Sequence, residues 1–385
     1  MSTISKRKKI VITAVAAVLV IVLVVGLSVF GWLYAFDYRK DPVQKATSVT
    51  VDDDGKLRVL QLTDLHLTAP AWNGNDQQTI EWVKTAIRLA DPDVVAVTGD
   101  AAMGIYWYRQ REKGIVAIAE IFEEAGIPWM YTLGNHDGEW SWDTQALVGQ
   151  ENEEQGNEEL LEILQGYKYS LMQKGDTTGT GNYVIDVVDK DGNVVYGLIN
   201  MDTHGKVFNE DGSRGPGYMG LSADQVQWYE REVNALCERA GKLVNSALFM
   251  HVPLYEYQDA LDNYPLWGSF TQYSIQDHCY VPETNIGMYD KMVELKSTDF
   301  VTAGHDHDHN FAVLYEGKDH VNKDKDFPVI LHYGRTSGVE AWERRIPIGA
   351  SVIDINVNAT TTESRYKISV IEPPESFVYN EYSGW

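Results

Sequence analysis

The chain has 385 residues, a formal net charge of −24 and two cysteines. This length suits one large α/β domain with a tail segment, and 44% hydrophobic against 23% charged residues leaves enough apolar side chains for a substantial core. So acidic a chain repels polyanions, which argues against nucleic acids and anionic lipid surfaces as partners and fits a small substrate. Cys237 and Cys279 form no CxxC pair, so neither a thiolate zinc site nor a disulfide framework is indicated; one bridge between them and two free thiols both stay open.

Ser5-Lys-Arg-Lys-Lys9 precedes an apolar run from Ile10 to Phe36, interrupted by Thr13, Gly26, Ser28 and Gly31 but by no charge. About 20 apolar residues span a bilayer core, so residues 1–36 are expected to be a basic flank and one transmembrane anchor. Trp32 and Tyr34 would sit at its outer interface, and the basic flank places the N-terminus inside and the body outside. The expected location is a single-pass cell-membrane protein with an extracellular body. A cleavable signal peptide is the rival, although Phe30-Gly-Trp-Leu-Tyr-Ala-Phe36 offers a poor cleavage site.

Residues 37–56 read as a linker. Residues 57–63 read as a strand, 77–90 as a helix and 93–98 as a short, nearly continuous apolar strand of the kind covered on both faces. A helix over 114–125 and a strand over 127–132 continue a β-α-β-α-β order, which predicts a layered α/β domain. Residues 138–181 are acidic and polar, with one helical stretch over 158–164, and read as a surface insertion. Strands 182–188 and 194–201 form a hairpin around Asp191-Gly192. Ser222, with Gln225 three residues on, caps a helix running to about residue 240. Strands are expected at 247–250, 299–302, 310–314, 329–333, 350–357 and 366–371, with a helix over 285–296. The natural architecture is a sheet from each half, packed face to face, with helices outside.

Five polar signals fall at the ends of predicted strands: Asp64-Leu-His66, Gly99-Asp100, Gly134-Asn-His-Asp137, His251 and Gly304-His-Asp-His307. Ligands of open α/β sheets gather beyond the carboxyl ends of strands, so each strand delivers polar groups to one rim. Imidazole and carboxylate donors without thiolate suit zinc, iron or manganese. Asp64, His66, Asp100, Asn135, His251, His305 and His307 provide donors enough for two metal ions, one of them shared, and leave His136 for proton transfer. Each signal alone is weak. All of them in this order, each after an apolar strand, point to a metal site.

This pattern resembles the calcineurin-like metallophosphoesterase superfamily, whose signature is D-x-H, GD, GNH[DE], H and GHxH, over about residues 57–335. Gly304-His-Asp-His-Asp-His-Asn-Phe311 and Tyr333-Gly-Arg335 are more particularly similar to a branch related to purple acid phosphatases. The resemblance implies a four-layer α-β-β-α sandwich of two mixed β-sheets, with 57–385 as the metallophosphoesterase domain. It implies that Asp64, His66 and His307 bind a first metal and that Asp100 bridges. Asn135, His251 and His305 would bind a second, His136 would act as general acid, and Asp137 would orient its ring. The cofactors would be two divalent or trivalent ions, with a bridging hydroxide as nucleophile.

Two positions depart from the branch. Met103 stands where purple acid phosphatases carry a tyrosine ligand to iron(III), so the purple colour should be absent. His309 replaces an expected Asn or Asp, and reads either as a contact near the site or as a solvent-exposed side chain. Near the motifs, Trp107, Tyr108, Trp140 and Trp142 are candidates for a pocket wall, and His204 and Arg335 could face it. The aromatic residues between 252 and 284, Tyr280 among them, read mainly as packing groups. The expected activity is phosphomonoester hydrolysis. A phosphodiesterase acting on nucleotides or lipid head groups, and a non-catalytic metal-binding cell-surface protein, are the alternatives.

Overall fold

A computed structural model describes residues 15, 17–25, 40, 46–68, 74–103, 110–138, 150–211, 213–317, 327–341, 344–375 and 377. Most of the expected anchor, the first part of the expected linker, and Trp107, Tyr108, Trp140 and Trp142 lie outside these residues. The chain divides into two units, Met1–Arg39 and Lys40–Trp385. In the first, residues 17–25 are helical and their apolar side chains, Val18 to Val25, are exposed. Among the described residues, no helix is long and apolar enough to cross a membrane.

The second unit is built on two mixed sheets. The five-stranded sheet joins β2 (Lys56–Leu62), β3 (Val94–Thr98), β4 (Trp129–Thr132), β15 (Ala350–Asn356) and β16 (Tyr366–Ile371) in the order β16-β15-β2-β3-β4. The seven-stranded sheet joins β1 (Ser48–Thr50), β5 (Tyr183–Val188), β6 (Val194–Asn200), β9 (Ser246–Phe249), β11 (Thr298–Ala303), β13 (Ala312–Tyr315) and β14 (Val329–Tyr333) in the order β1-β5-β6-β9-β11-β14-β13. Strands β2, β3 and β4 run parallel, as do β6, β9, β11 and β14. Strands β3, β4, β9 and β11 are buried along their whole length, so both faces are covered, which explains the nearly continuous apolar run of β3.

The sheets touch through side chains. Gln61 on β2 donates to Thr98 Oγ1 at 2.9 Å and to the Ala303 carbonyl of β11 at 3.3 Å. Tyr366 on β16 stacks on Phe300 of β11 at 4.6 Å. Helices Gly74–Ala90 and Gln110–Ala125 cover the five-stranded sheet, with Phe122 against Trp129. Helices Ala223–Ala240 and Met288–Leu295 cover the other sheet, burying Val233 and Met292 in one cluster with Leu248 and Val301. The Ser222 N–H donates to Gln225 Oε1 at 2.8 Å, half of the capping box read from the sequence.

Three expectations need correction. Residues 48–50 are not linker: β1 pairs in parallel with β5, and β2 already begins at Lys56. The stretch after residue 138 is not wholly a surface insertion. Its helix, Gln150–Gln165, buries Leu160, Leu161 and Leu164, and Leu171 N–H then donates to the Trp129 carbonyl at 2.8 Å. The acidic composition hid one apolar stripe, and the segment covers an edge of β4 that would otherwise stand open. The region expected as a strand over 310–314 is broken into β12 (His309–Asn310) and β13, with β12 pairing instead to β10 (Tyr273–Ser274).

Candidate metal centre

All five motifs lie just past the carboxyl ends of parallel strands: Asp64 and His66 after β2, Asp100 after β3, Asn135 and His136 after β4, His251 after β9, His305 and His307 after β11. The backbone turns sharply there. Asp64, His66, Asp100 and His305 have φ of 53°, 49°, 51° and 81°, the left-handed region that side chains other than glycine enter at a cost. Neighbouring turns hold them in place. Asp64 N–H donates to the Gly99 carbonyl at 3.1 Å, His66 N–H to the Asp100 carbonyl at 2.9 Å, and Gly304 N–H to the His251 carbonyl at 3.1 Å.

The motif glycines have steric reasons. A methyl on Gly134 would collide with the Asp100 carboxylate, and one on Gly304 with the Thr63 hydroxyl. Gly99 (φ 89°) lies under the His251 ring.

The side chains gather in two clusters. In the first, Asp64, His66 and His307 bring one ligand atom each within 4.8 Å of one another. His66 Nε2 stands 3.0 Å from His307 Nε2, with Asp64 Oδ1 3.4 Å from the latter. In the second, Asp100, His251 and His305 meet the same criterion. Asp100 Oδ2 lies 3.2 Å from His251 Nε2 and 3.8 Å from His66 Nε2, between the two clusters. Asn135 Oδ1 joins the second at 3.2 Å from His251 Nε2. His136 is half-buried beside them, its ring 5.5 Å from that of His66, and its backbone N–H donates to Asp100 Oδ1 at 2.8 Å.

Electrostatics match this arrangement. Burial and the neighbouring His307 hold His66 down to about 4, leaving a neutral imidazole. Burial also holds His305 well below its usual range. Burial would lower His251 too, but the Asp100 carboxylate overrides it and raises His251 to about 10. Burial pushes Asp100 up, and the charges on His251 and His136 more than reverse that. Since His251 Nδ1 points at the Thr98 carbonyl 2.8 Å away, its partner nitrogen is the one that meets Asp100. A positive charge beside Asp100 is therefore required, and a proton on His251 provides it where a cation could.

The donor set fits metal. His305 Nε2 is buried with no hydrogen-bond partner among the described residues, a costly arrangement unless a cation meets it. Neutral imidazoles, two buried carboxylates and one amide oxygen suit borderline transition ions.

Asp137 does not behave as expected. Its Oδ2 accepts from Gly134 N–H (2.8 Å) and Asp100 N–H (2.9 Å), and its Oδ1 from the Tyr131 hydroxyl (2.9 Å) and Ala102 N–H (3.3 Å). Its carboxylate clamps two loop backbones together. His309 is neither exposed nor in the pocket: it is buried, with Nε2 donating to the His278 carbonyl at 2.9 Å. Arg335 is buried against Glu372, the Pro347 carbonyl and the Tyr273 ring. His204 faces Gln225 and Asp202. A third group, Cys279, Asp306 and His309, lies equally close together, and there Asp306 Oδ2 accepts from both Tyr333 Oη and Tyr280 N–H.

A cavity of about 380 Å³ opens over the clusters, lined by Asp100, Asn135, His136, His305 and His307 together with Met103, Lys206, Tyr218, Tyr280 and Gln276. Lys206, Tyr218 and Gln276 were missed. Lys206 and Tyr218 reach the site on a separate two-stranded ribbon, β7 (Lys206–Phe208) with β8 (Arg214–Tyr218), which carries no motif.

Residues 57–309 match the sequence profile described as calcineurin-like phosphoesterase. Phosphatase DCR2 of Saccharomyces cerevisiae is 28% identical over 286 residues, 68% of this chain and 46% of that protein. An uncharacterized protein of Schizosaccharomyces pombe is 26% identical, over 70% of this chain and 49% of its own. The chain thus spans about half the length of these two relatives. Probable inactive purple acid phosphatase 28 of Arabidopsis thaliana is 25% identical, covering 69% of each chain. Among solved structures, purple acid phosphatase PPD1 from yellow lupin (Lupinus luteus) seeds superposes with a TM-score of 0.46 at 13% identity, over 87% of this chain and 55% of that one. The chain belongs to the calcineurin-like phosphoesterase family.

Proposed function

We propose that this protein is a metal-dependent phosphoesterase with a dinuclear centre in a four-layer α-β-β-α sandwich, acting mainly on phosphomonoesters. The observation that carries this reading is Asp100, whose one carboxylate oxygen lies between the His66 and His251 imidazoles. Asp64, His66 and His307 would hold one ion, Asn135, His251 and His305 a second, and Asp100 both. When bound, such ions supply Lewis acidity toward phosphoryl oxygens and an acidified water as nucleophile.

The chain's own groups do the rest. His136 stands at the cavity beside the clusters, where a leaving alkoxide would need a proton, a role worth about 10²–10⁴-fold in rate. Asp137 keeps the Asp100 and Gly134 turns in register. The cavity suits a small ester.

The test is direct. The protein is loaded separately with manganese, zinc or iron and assayed on p-nitrophenyl phosphate and bis-p-nitrophenyl phosphate, with Asp100→Asn as control. Metal-dependent turnover, faster on the monoester and lost in the control, is expected. Faster diester turnover would select the phosphodiesterase reading. Bound metal without turnover would select the non-catalytic one.

The apolar run from Ile10 to Phe36, with its basic flank, supports a membrane anchor and an extracellular body as a further part of this proposal. Release of the intact protein from membranes by carbonate, without detergent, would rule the anchor out.

A further inference from the structure

The loop after β10 brings Gln276 and Tyr280 to the cavity wall. It rests on the segment that follows His307. Tyr273 pairs with Asn310 and Ser274 with His309, and Ile275 N–H donates to the Asp308 carbonyl at 3.3 Å. Gln258 adds a further hold: it accepts from Cys279 N–H at 2.8 Å and donates to the Asp277 carbonyl at 3.2 Å.

His309 closes this loop. Its Nε2 donates to the His278 carbonyl at 2.9 Å, which in a neutral imidazole leaves Nδ1 to accept from the Ser274 hydroxyl at 3.2 Å. One ring thus spans from Ser274 to His278, and Gln276 stands midway between them. An Asn or Asp side chain ends about where Nδ1 stands; only the imidazole carries a second nitrogen beyond it.

The Gln276 amide has a defined orientation. Arg345 holds Asp308, its backbone N–H and Nε donating to the two carboxylate oxygens at 2.7 Å each. A carboxylate only accepts, so Gln276 turns its NH₂ toward Asp308 Oδ2, at 2.8 Å. Its Oε1 is the end left over, and it makes no hydrogen bond with the described residues.

We propose that Gln276 Oε1 accepts a hydrogen bond from a hydroxyl on the substrate's leaving group, so that esters of hydroxylated alcohols are preferred over plain ones, and that His309 is the positioning residue that holds Gln276 for this contact. This rests on the phosphoesterase reading above.

The experiment compares esters that differ by one hydroxyl: propyl phosphate against 3-hydroxypropyl phosphate, and phenyl phosphate against 3-hydroxyphenyl phosphate. The readout is the ratio of kcat/KM for the hydroxylated member over the plain one, in wild type, Gln276→Met, His309→Leu and Ser274→Ala. A neutral hydrogen bond predicts a wild-type ratio of about three to ten in at least one pair. It should fall to near one in Gln276→Met and His309→Leu. Ser274→Ala, which removes one of the two His309 contacts, should lower it part of the way and serves if His309→Leu does not fold. The loss should fall on KM of the hydroxylated ester rather than on kcat, since the contact is made in ground and transition states alike. The Gln276→Met, His309→Leu double variant should lose no more than Gln276→Met alone.

A wild-type ratio of one in both pairs overturns the proposal, as does an unchanged ratio in Gln276→Met. Equal loss on both members of a pair would make the two residues structural and overturns it too. A double variant that shows the sum of the single losses removes the positioning role of His309. Binding of propylphosphonate and 3-hydroxypropylphosphonate is measured in parallel by calorimetry. If no ester is turned over, the phosphoesterase reading fails on its own. The ratio of phosphonate affinities then decides the contact: a preference for the hydroxylated member that collapses in Gln276→Met supports it, and any other result refutes it.

Discussion

His66 Nε2 and His307 Nε2 face each other at 3.0 Å, with Asp64 Oδ1 3.8 Å from the first and 3.4 Å from the second. Two imidazole nitrogens aimed at one point, with a carboxylate beside them, form a pocket for positive charge. The second cluster repeats the arrangement around His251, His305 and Asp100. We expect two equivalents of metal per chain by elemental analysis. His66→Ala and His305→Ala should each retain about one. Chelation should lower the melting temperature, because a ligand that binds only the folded state stabilises it by mass action. One equivalent in wild type, or no thermal response to chelation, would contradict a dinuclear site.

His136 lines the cavity while its ring stays 5.5 Å from the His66 ring. His136→Ala is expected to keep its metals and to lose about 10²–10⁴-fold in kcat on alkyl phosphates. The loss on p-nitrophenyl phosphate should be much smaller, since that leaving group departs without a proton. Equal losses on both esters would remove the general-acid role.

Asp137 gives each carboxylate oxygen two donors, so an amide there would set an N–H against an N–H or a hydroxyl. Asp137→Asn should destabilise the fold by about 1–3 kcal/mol. It should also weaken metal binding by about 10–100-fold, because it loosens the turns carrying Asp100 and Asn135. Calorimetric melting and metal titration read the two effects. If stability and metal content are untouched while alkyl phosphate turnover falls, Asp137 acts through the His136 ring after all.

His332 lies between the sheets, where its Nδ1 approaches the Thr302 hydroxyl at 2.9 Å and its Nε2 has no partner among the described residues. Thr302 donates its own proton to Gln61, so Nδ1 carries the hydrogen and Nε2 is bare. Protonating Nε2 would bury an unpaired cation, and burial accordingly lowers this group from 6.5 to about 3. The folded protein therefore resists a proton that the unfolded chain accepts. The contribution to stability is complete above pH 6.5 and is lost as pH falls through 3. Between about pH 6 and 4, wild type should lose up to about 1.4 kcal/mol per pH unit more than His332→Asn. Parallel curves from denaturant titrations would show that His332 is not held neutral.

Much of the site is legible in the sequence because its grammar is local. Each candidate ligand follows an apolar strand by one to a few residues, so apolar runs ending in Asp64, Asp100, Asn135, His251 and His305 already mark one rim. The parallel strands are legible for the same reason: a strand covered on both faces leaves an apolar run such as Val94-Val-Ala-Val97. The glycines of the motifs mark turns in the sequence, although only the fold shows which side chain each one approaches.

What escaped depends on contacts between segments far apart in sequence. Strand β1 holds three residues, and its partner β5 lies more than a hundred residues away, so nothing local distinguishes it from linker. Asp137 and His136 are neighbours in sequence, yet the Asp137 carboxylate turns to Tyr131, Ala102 and Asp100. His309 and Arg335 have the chemistry of site residues, and packing buries both elsewhere. Lys206 and Tyr218 sit in an ordinary polar stretch, and only the ribbon's placement against His305 brings them to the cavity. By itself the sequence determined the family and the set of candidate metal ligands, because metal ligation needs particular atoms placed at strand ends. The tertiary structure alone decided what surrounds that chemistry, because side chains that close a pocket are chosen by spatial proximity and leave no periodic trace along the chain.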